Sequence, residues 1–240
     1  MSGTSPAMRT IGILGGIGPQ ATMDFEARIH RVAQRLVPQH GNEGYPPVVS
    51  VFMRHPPVRV DANAKPVKPL VLDPRLLDSA RRLGVWADVI VIPSNTPHLF
   101  LDPIREASGC PIISMIDVTV EALHSRGASA VGLIGLGIPQ IYIDRFTSAG
   151  LRLITTEQTA RDSLDDAIIR LMEGAETDAD RTAAREAVEQ VRASGAPLTV
   201  LGCTEIPLLL GDTAEADDLI NPAQLLAEAA VRFALDGSPG

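Results

Sequence analysis

Two short segments of the chain each place a small residue that could transfer a proton directly after an apolar run. Ser94 follows the mostly apolar residues 87–93, and Cys203 follows residues 198–202. In an open α/β sheet, ligands bind at the edge where the parallel strands end. We therefore expect the Ser94 hydroxyl and the Cys203 thiol to face each other across one small acid.

Cys203 is the stronger candidate of the two for acid–base chemistry. A thiol has a reference pKa of about 8.5, and the beginning of a helix can lower it toward neutrality. Residues 205–208 predict a short helical turn directly after the cysteine, with Glu205 as a supporting neighbour. A free cysteine can also be a small buried apolar residue, and we assign that structural role to Cys110.

Ser94 occupies the matching position in the first half of the chain. A serine hydroxyl is a far weaker acid than a thiol, so it needs help to exchange the proton of a carbon acid. His98 lies one helical turn beyond Ser94 and could orient or activate it. The alternative role for His98 is that of a polar cap at the beginning of a helix.

Three polar residues beside the reactive pair could donate hydrogen bonds to a substrate: Asn95, Thr96 and Thr204. Donors aimed at a carboxylate or enolate oxygen stabilise the charge that develops there. The same residue types are common in turns and helix caps.

The proline-rich segment 54–69 provides the candidate cations. Arg54 and Arg59 could each bind a second acidic group of the substrate in a bidentate manner. The two lysines of the chain, Lys65 and Lys68, lie between prolines in the same segment. Because pyridoxal phosphate needs a rigidly held lysine, this placement argues against that cofactor. A loop of this kind is often a lid or a binding loop.

A glycine-rich pattern occurs twice. Residues 11–20 and 131–140 share two glycines, a proline and a glutamine at matching positions, which indicates two related halves. Neither copy has the G-x-G-x-x-G spacing of a dinucleotide-binding turn. We interpret both as tight strand-to-helix turns, and we expect Gly16 and Ile17 to approach a small ligand.

Apolar runs alternate with helix-period segments along the chain, which predicts an α/β fold with mostly parallel sheets flanked by helices. We expect two similar lobes related by a pseudo-twofold axis, with the site between them. The lobes span residues 10–115 and 116–212, and a last helix over 222–235 packs back on the first lobe. The predicted strands are 10–15, 47–53, 87–93, 111–115, 130–135, 152–155 and 198–202. The predicted helices are 19–37, 73–84, 97–107, 117–126, 139–149, 161–173, 178–194 and 222–235.

Composition excludes several classes of protein. A net charge of −8 argues against nucleic acid as a partner. The sequence shows neither the ~20 consecutive apolar residues of a membrane span nor a signal peptide, so we expect a soluble, cytoplasmic protein. The two cysteines do not form a disulfide framework. The five histidines lack metal-ligand spacing, so we predict no metal.

Three motifs, at residues 15–22, 93–98 and 202–205, resemble in order the signatures of the aspartate/glutamate racemase family. The resemblance covers nearly the whole chain. It implies two similar α/β lobes with the site between them, no cofactor, and commonly a homodimer. It also implies a two-base mechanism, in which one cysteine removes the α-proton of an acidic amino acid and another returns a proton on the opposite face. Cys203 matches the second of those cysteines.

The chain departs from the family pattern at several positions near the site. Ser94 stands where the family usually has the first cysteine, although some L-selective members similarly have a hydroxyl residue there. Leu136 and Ile138 replace threonines of the family, and a lysine is replaced around Ser163. These changes remove polar contacts from the expected side-chain pocket.

Three hypotheses follow for the function. The first is a cofactor-independent racemase or epimerase of an aspartate- or glutamate-type amino acid, with Cys203 as the main acid/base and Ser94 on the opposite face. The second is a cofactor-free decarboxylase of a substituted malonate, in which Cys203 protonates the enolate left after carbon dioxide departs. The third is a degenerate racemase that only binds a small carboxylic acid. The sequence leaves open whether Ser94 is the natural residue at its position.

Overall fold

The computed structural model describes residues 8–41, 43–61 and 67–237, and it contains two four-stranded parallel sheets. The strands of the first sheet are β1 (Ile11–Gly15), β2 (Val48–Phe52), β3 (Val89–Val91) and β4 (Ile112–Ile113). Those of the second are β5 (Ala130–Ile134), β6 (Arg152–Thr155), β7 (Thr199–Leu201) and β8 (Leu219–Ile220). The strand orders β2-β1-β3-β4 and β6-β5-β7-β8 follow the same pattern. The predicted α/β fold with two similar parallel-sheet halves is therefore confirmed.

The helices flank the sheets as expected. They are α1 (Pro19–Leu36), α2 (Pro74–Leu83), α3 (Leu101–Ser108), α4 (Met115–Ser125), α5 (Gln140–Ser148), α6 (Gln158–Met172), α7 (Asp178–Ala193), α8 (Ile206–Leu210) and α9 (Pro222–Asp236). Two 3-10 turns, Thr96–Phe100 and Gly211–Glu215, complete the described elements. Within the described ranges, no helix has the length and apolar character needed to cross a membrane.

Two details differ from the sequence-based expectation. The helix predicted over 97–107 is α-helical only from Leu101, and a 3-10 turn precedes it. Pro103 explains the break, because it has no N–H to donate to the carbonyl of the residue four positions earlier. Strand β8 was not predicted, since two apolar residues are too short to show a strand pattern.

The central strands of both sheets are buried on both faces. Strands β1, β3, β5 and β7 consist entirely of buried residues, which explains their continuous apolar runs. Helices α1 and α9 cover one face of the first sheet, and α2 and α3 cover the other. The last helix, α9, packs against α1 and α4. The exact division into lobes near residue 115 stays a prediction, since α4 contributes to the cores on both sides of it.

Candidate active site

The loops that follow β3 and β7 meet across the two halves of the molecule. Ser94, half-buried, comes shortly after β3, and Cys203, only 8% exposed, comes shortly after β7. The side-chain Nδ2 of Asn95 donates a hydrogen bond to the carbonyl oxygen of Gly202 at 2.8 Å. This bond joins the residue after Ser94 to the residue before Cys203, so the two predicted reactive loops lie side by side.

Both the nitrogen and the oxygen of the Asn95 side-chain amide are hydrogen-bonded to residues of the second half of the chain. While its Nδ2 binds Gly202, its Oδ1 accepts a hydrogen bond from the Tyr142 hydroxyl at 3.1 Å. Tyr142 is fully buried in α5. Sequence reasoning missed it, because a tyrosine on the apolar face of a helix has the signature of a core residue. Direct contact of Asn95 with a substrate remains a prediction.

The Cys203 thiol is hydrogen-bonded to a carboxylate. Its Sγ donates to Oε2 of Glu205 at 3.1 Å, and the Thr204 hydroxyl donates to the same oxygen at 3.0 Å. Burial and the negative charge of Glu205 raise the pKa of Cys203 well above its usual value, against a smaller effect of the Glu205 and Leu136 backbone amides. The expectation of a thiol pKa lowered by a helix beginning is therefore wrong, and Cys203 rests as a protonated thiol.

Glu205 also reaches across to the glycine turn before α1. A Cβ on Gly18 would overlap Oε1 of Glu205, so a larger residue at that position would force the carboxylate to shift. Gln20, in the first turn of the same helix, donates through Nε2 to the Met172 carbonyl oxygen at 3.2 Å, at the end of α6. These contacts hold the beginning of α1 against the second half of the chain.

His98 is placed to orient the Ser94 loop and not to activate the Ser94 hydroxyl. Its Nε2 accepts a hydrogen bond from the Met115 N–H at 3.0 Å, so Nδ1 carries the proton and donates to the Ser94 carbonyl oxygen at 2.8 Å. Burial lowers the pKa of His98 to about 4. The ring is thus neutral, and both of its nitrogens are engaged with backbone groups.

The first glycine turn is shaped by strand β2. Gly16 has a φ of +71°, and a Cβ there would overlap the backbone of Phe52. The backbone N–H of Arg54 donates to the Gly16 carbonyl oxygen at 2.9 Å, and the Arg54 guanidinium lies 5.2 Å from the centroid of the Phe52 ring. Ile17 is half-buried beside this turn. Arg54 lies at the carboxyl edge of the first sheet. Contact of Gly16 and Ile17 with a ligand stays a prediction.

The other predicted binding residues have varied positions. Arg59 is exposed, and its backbone pairs with Val71 and Val67. Lys65 falls within residues 62–66, which lie outside the described residues. The predicted lid 54–69 is therefore described only in part. Lys68, in the same segment, is exposed. Thr96 is half-buried at the beginning of the first 3-10 turn.

The positions that depart from the family pattern lie on the second half of the molecule. Leu136 and Ile138 are partly exposed, at 45% and 37%, and the Ser163 hydroxyl donates to the Thr159 carbonyl oxygen within α6. Across the described part of the chain, no three His, Cys, Asp or Glu side chains are grouped to hold a metal ion. The absence of a metal and of a cofactor in the working enzyme remains a prediction.

Comparison with known proteins identifies the family of the chain. The model of the Asp/Glu/hydantoin racemase family matches residues 14–230. The broad specificity amino-acid racemase RacX of Bacillus subtilis (strain 168) is 26% identical over 124 residues, which are 51% of this chain. The match spans about half the length of that curated relative, 53%.

Solved structures show the same fold. The aspartate racemase of Picrophilus torridus superposes with a TM-score of 0.76 and 20% identity, covering 94% of each chain. An aspartate racemase homologue from Pyrococcus horikoshii OT3 gives 0.74 and 20% identity, covering 95% of this chain and 99% of its own. At this level of identity the likeness extends to the architecture alone.

Proposed function

We propose that this chain, which belongs to the Asp/Glu/hydantoin racemase family, is an isomerase that racemises or epimerises an amino acid without a cofactor. In this proposal Cys203 is the main acid/base, and Ser94 acts on the opposite face of the α-carbon. The Asn95–Gly202 hydrogen bond is the observation that supports it best, because it joins the loop after β3 of the first sheet to the loop after β7 of the second.

The resting state suggests how Cys203 becomes a base. Its thiol proton passes to Oε2 of Glu205, along the 3.1 Å hydrogen bond. The thiolate then removes the α-proton, which leaves an enolate whose charge lies on the substrate carboxylate. Ser94 gives its hydroxyl proton to the opposite face of the α-carbon. Solvent then restores the serine proton, and Glu205 releases the one it took.

An aspartate- or glutamate-type substrate is the class that the family pattern favours, and its second carboxylate needs a cation. We assign this role to Arg54 before Arg59, because the Arg54 backbone is bonded to the Gly16 turn at the sheet edge. Thr96 and the Gly16–Ile17 turn are the proposed partners of the α-carboxylate, and Thr204 can join them when its hydroxyl leaves Glu205.

Because the Cys203 thiol is a stronger acid than the Ser94 hydroxyl, we expect the two enantiomers to exchange their α-protons at different rates. Two enantiomers have the same free energy, so kcat/KM of racemisation is equal in both directions. The two groups should differ in how fast they exchange the α-proton without inverting the carbon. The enantiomer whose α-proton faces Cys203 should exchange this proton with solvent faster than it racemises. The other enantiomer should exchange only as fast as the weaker Ser94 group allows.

Incubation in deuterated water tests this proposal. Each enantiomer of aspartate and glutamate is followed by proton NMR for loss of the α-proton and by chiral chromatography for inversion. Cys203→Ala should abolish exchange, whereas Cys110→Ala, which removes the other buried thiol, should retain it. A folded parent protein that incorporates no α-deuterium into any of the four substrates would contradict the proposal.

One observation favours a second candidate, the decarboxylation of a substituted malonate. A buried thiol kept protonated by Glu205 is ready to donate a proton to an enolate, and that reaction needs no base on the Ser94 side. Release of carbon dioxide from an aryl- or alkyl-malonate, with Cys203→Ser inactive, would support it. If both assays show no turnover and a small carboxylic acid still binds, the protein is a binding protein.

A further inference from the structure

A buried hydroxyl from the second half of the molecule holds the loop of the first reactive group. The Tyr142 hydroxyl donates to Asn95 Oδ1 at 3.1 Å, and Asn95 Nδ2 donates to the Gly202 carbonyl oxygen at 2.8 Å. The Tyr142 ring is packed beside Phe146, with ring centroids 5.4 Å apart. A single amide thus links α5 to both reactive loops.

A second set of hydrogen bonds holds the Ser94 loop from α4. His98 donates to the Ser94 carbonyl oxygen and accepts from the Met115 N–H, while the Thr119 hydroxyl donates to the Met115 carbonyl oxygen at 2.7 Å. Thr119 is fully buried. These hydrogen bonds therefore tie the Ser94 loop to the beginning of α4.

We infer that Tyr142 is a positioning residue that fixes the separation of Ser94 and Cys203 by orienting the Asn95 amide. The inference rests on the proposed proton transfer between these two groups. An amide whose oxygen is held by a hydroxyl donor must present its nitrogen to Gly202 O. Without that donor, the amide oxygen loses its hydrogen-bond partner, and the amide is free to turn or to move away. Proton transfer on two faces of one carbon is sensitive to such a shift.

Tyr142→Phe tests this role because it removes the hydroxyl and keeps the packed ring. Tyr45→Phe is the matched control: Tyr45 is the other tyrosine, and its hydroxyl accepts a hydrogen bond from Gln34 on α1. We expect Tyr142→Phe to lower kcat about tenfold with little change in KM, and Tyr45→Phe to leave both unchanged. In a double-mutant cycle, Tyr142→Phe should add little to the loss caused by Asn95→Ala, since the tyrosine acts through that residue.

A readout that needs no activity separates this inference from the proposed function. In a protein with Ser94→Cys and Cys110→Ala, dibromobimane, a reagent that becomes fluorescent when it bridges two thiols, reports whether residues 94 and 203 stay close. Adding Tyr142→Phe should lower the cross-linking yield several-fold, and adding Tyr45→Phe should not. Asn95→Ala gives the same test if Tyr142→Phe fails to fold.

Failure of the positioning role of Tyr142 and failure of the proposed function give different results. Unchanged cross-linking and unchanged kcat in Tyr142→Phe would overturn the positioning role, whatever the substrate. Absence of turnover in the parent would overturn the proposed function, and the cross-linking yield would still decide whether Tyr142 sets the distance between the two loops.

Discussion

The carboxylate of Glu205, in the second half of the chain, occupies the space that a side chain on Gly18, in the first half, would need. Gly18 has a φ of −107°, which any residue can adopt, so the close approach of the carboxylate and not the backbone conformation disfavours a side chain there. The other oxygen of the same carboxylate accepts the hydrogen bond from the Cys203 thiol. The beginning of α1 therefore limits where the partner of the thiol can lie.

Gly18→Ala should displace this carboxylate from Cys203. We expect α-proton exchange to fall about tenfold, because a misplaced proton acceptor is a common cause of such losses. Shortening the acid in the double variant Gly18→Ala/Glu205→Asp makes room for the new methyl group and should recover part of the rate. The measurement is deuterium incorporation by NMR. Full activity of Gly18→Ala would show that the contact has no role in catalysis.

Glu205→Gln should lower the pKa of Cys203, because the negative charge that raises it is removed. The pH dependence of iodoacetamide alkylation at Cys203, in a Cys110→Ala background, measures this directly: the midpoint should move to lower pH. Exchange with substrate should nevertheless slow, since the amide cannot take the thiol proton. Glu186→Gln, an exposed position on α7, should change neither quantity. A midpoint that does not move would contradict the assigned electrostatic effect.

His98 should make the protein less stable in mild acid. Its pKa is lowered from 6.5 to about 4 in the folded protein, so between these values the unfolded chain binds more protons. Stability is then fully present above pH 6.5 and is lost as the pH falls toward 4. We expect a loss of about 2 kcal/mol between pH 7 and pH 5 from this residue. Urea unfolding at both values measures it.

His98→Asn should flatten that pH dependence while lowering stability at pH 7. The exposed His30 on α1 offers the control, because His30→Asn should leave the pH dependence as in the parent. An equally steep loss of stability in His98→Asn would mean that other groups cause it.

Ser94→Cys should give the site two thiols, one at position 94 and one at Cys203. Because a thiol is a much stronger acid than a serine hydroxyl, racemisation should speed up about 100-fold or more, and the gap between exchange and inversion should close. Ser94→Ala should act in the opposite way: exchange at the Cys203 face persists and inversion disappears. Equal inversion rates in the parent and in Ser94→Ala would exclude Ser94 as the second acid/base.

The sequence by itself determined the architecture and the reactive loops. Buried parallel strands need continuous apolar runs, and the breaks at the ends of β3 and β7 put Ser94 and Cys203 at a strand edge. The family signatures lie in short contiguous segments, so they too are visible without coordinates.

Only the tertiary structure decided the state of each group. The Cys203 pKa is raised because burial and the Glu205 carboxylate outweigh the backbone amides, and burial is a property of the whole fold. His98 does not activate Ser94, because its Nε2 accepts a hydrogen bond from the Met115 N–H of another helix. Tyr142 meets Asn95 across 47 positions of the chain. Contacts between residues so far apart in sequence leave no local pattern, which is why sequence reasoning proposed candidate reactive groups and missed the residues that hold them.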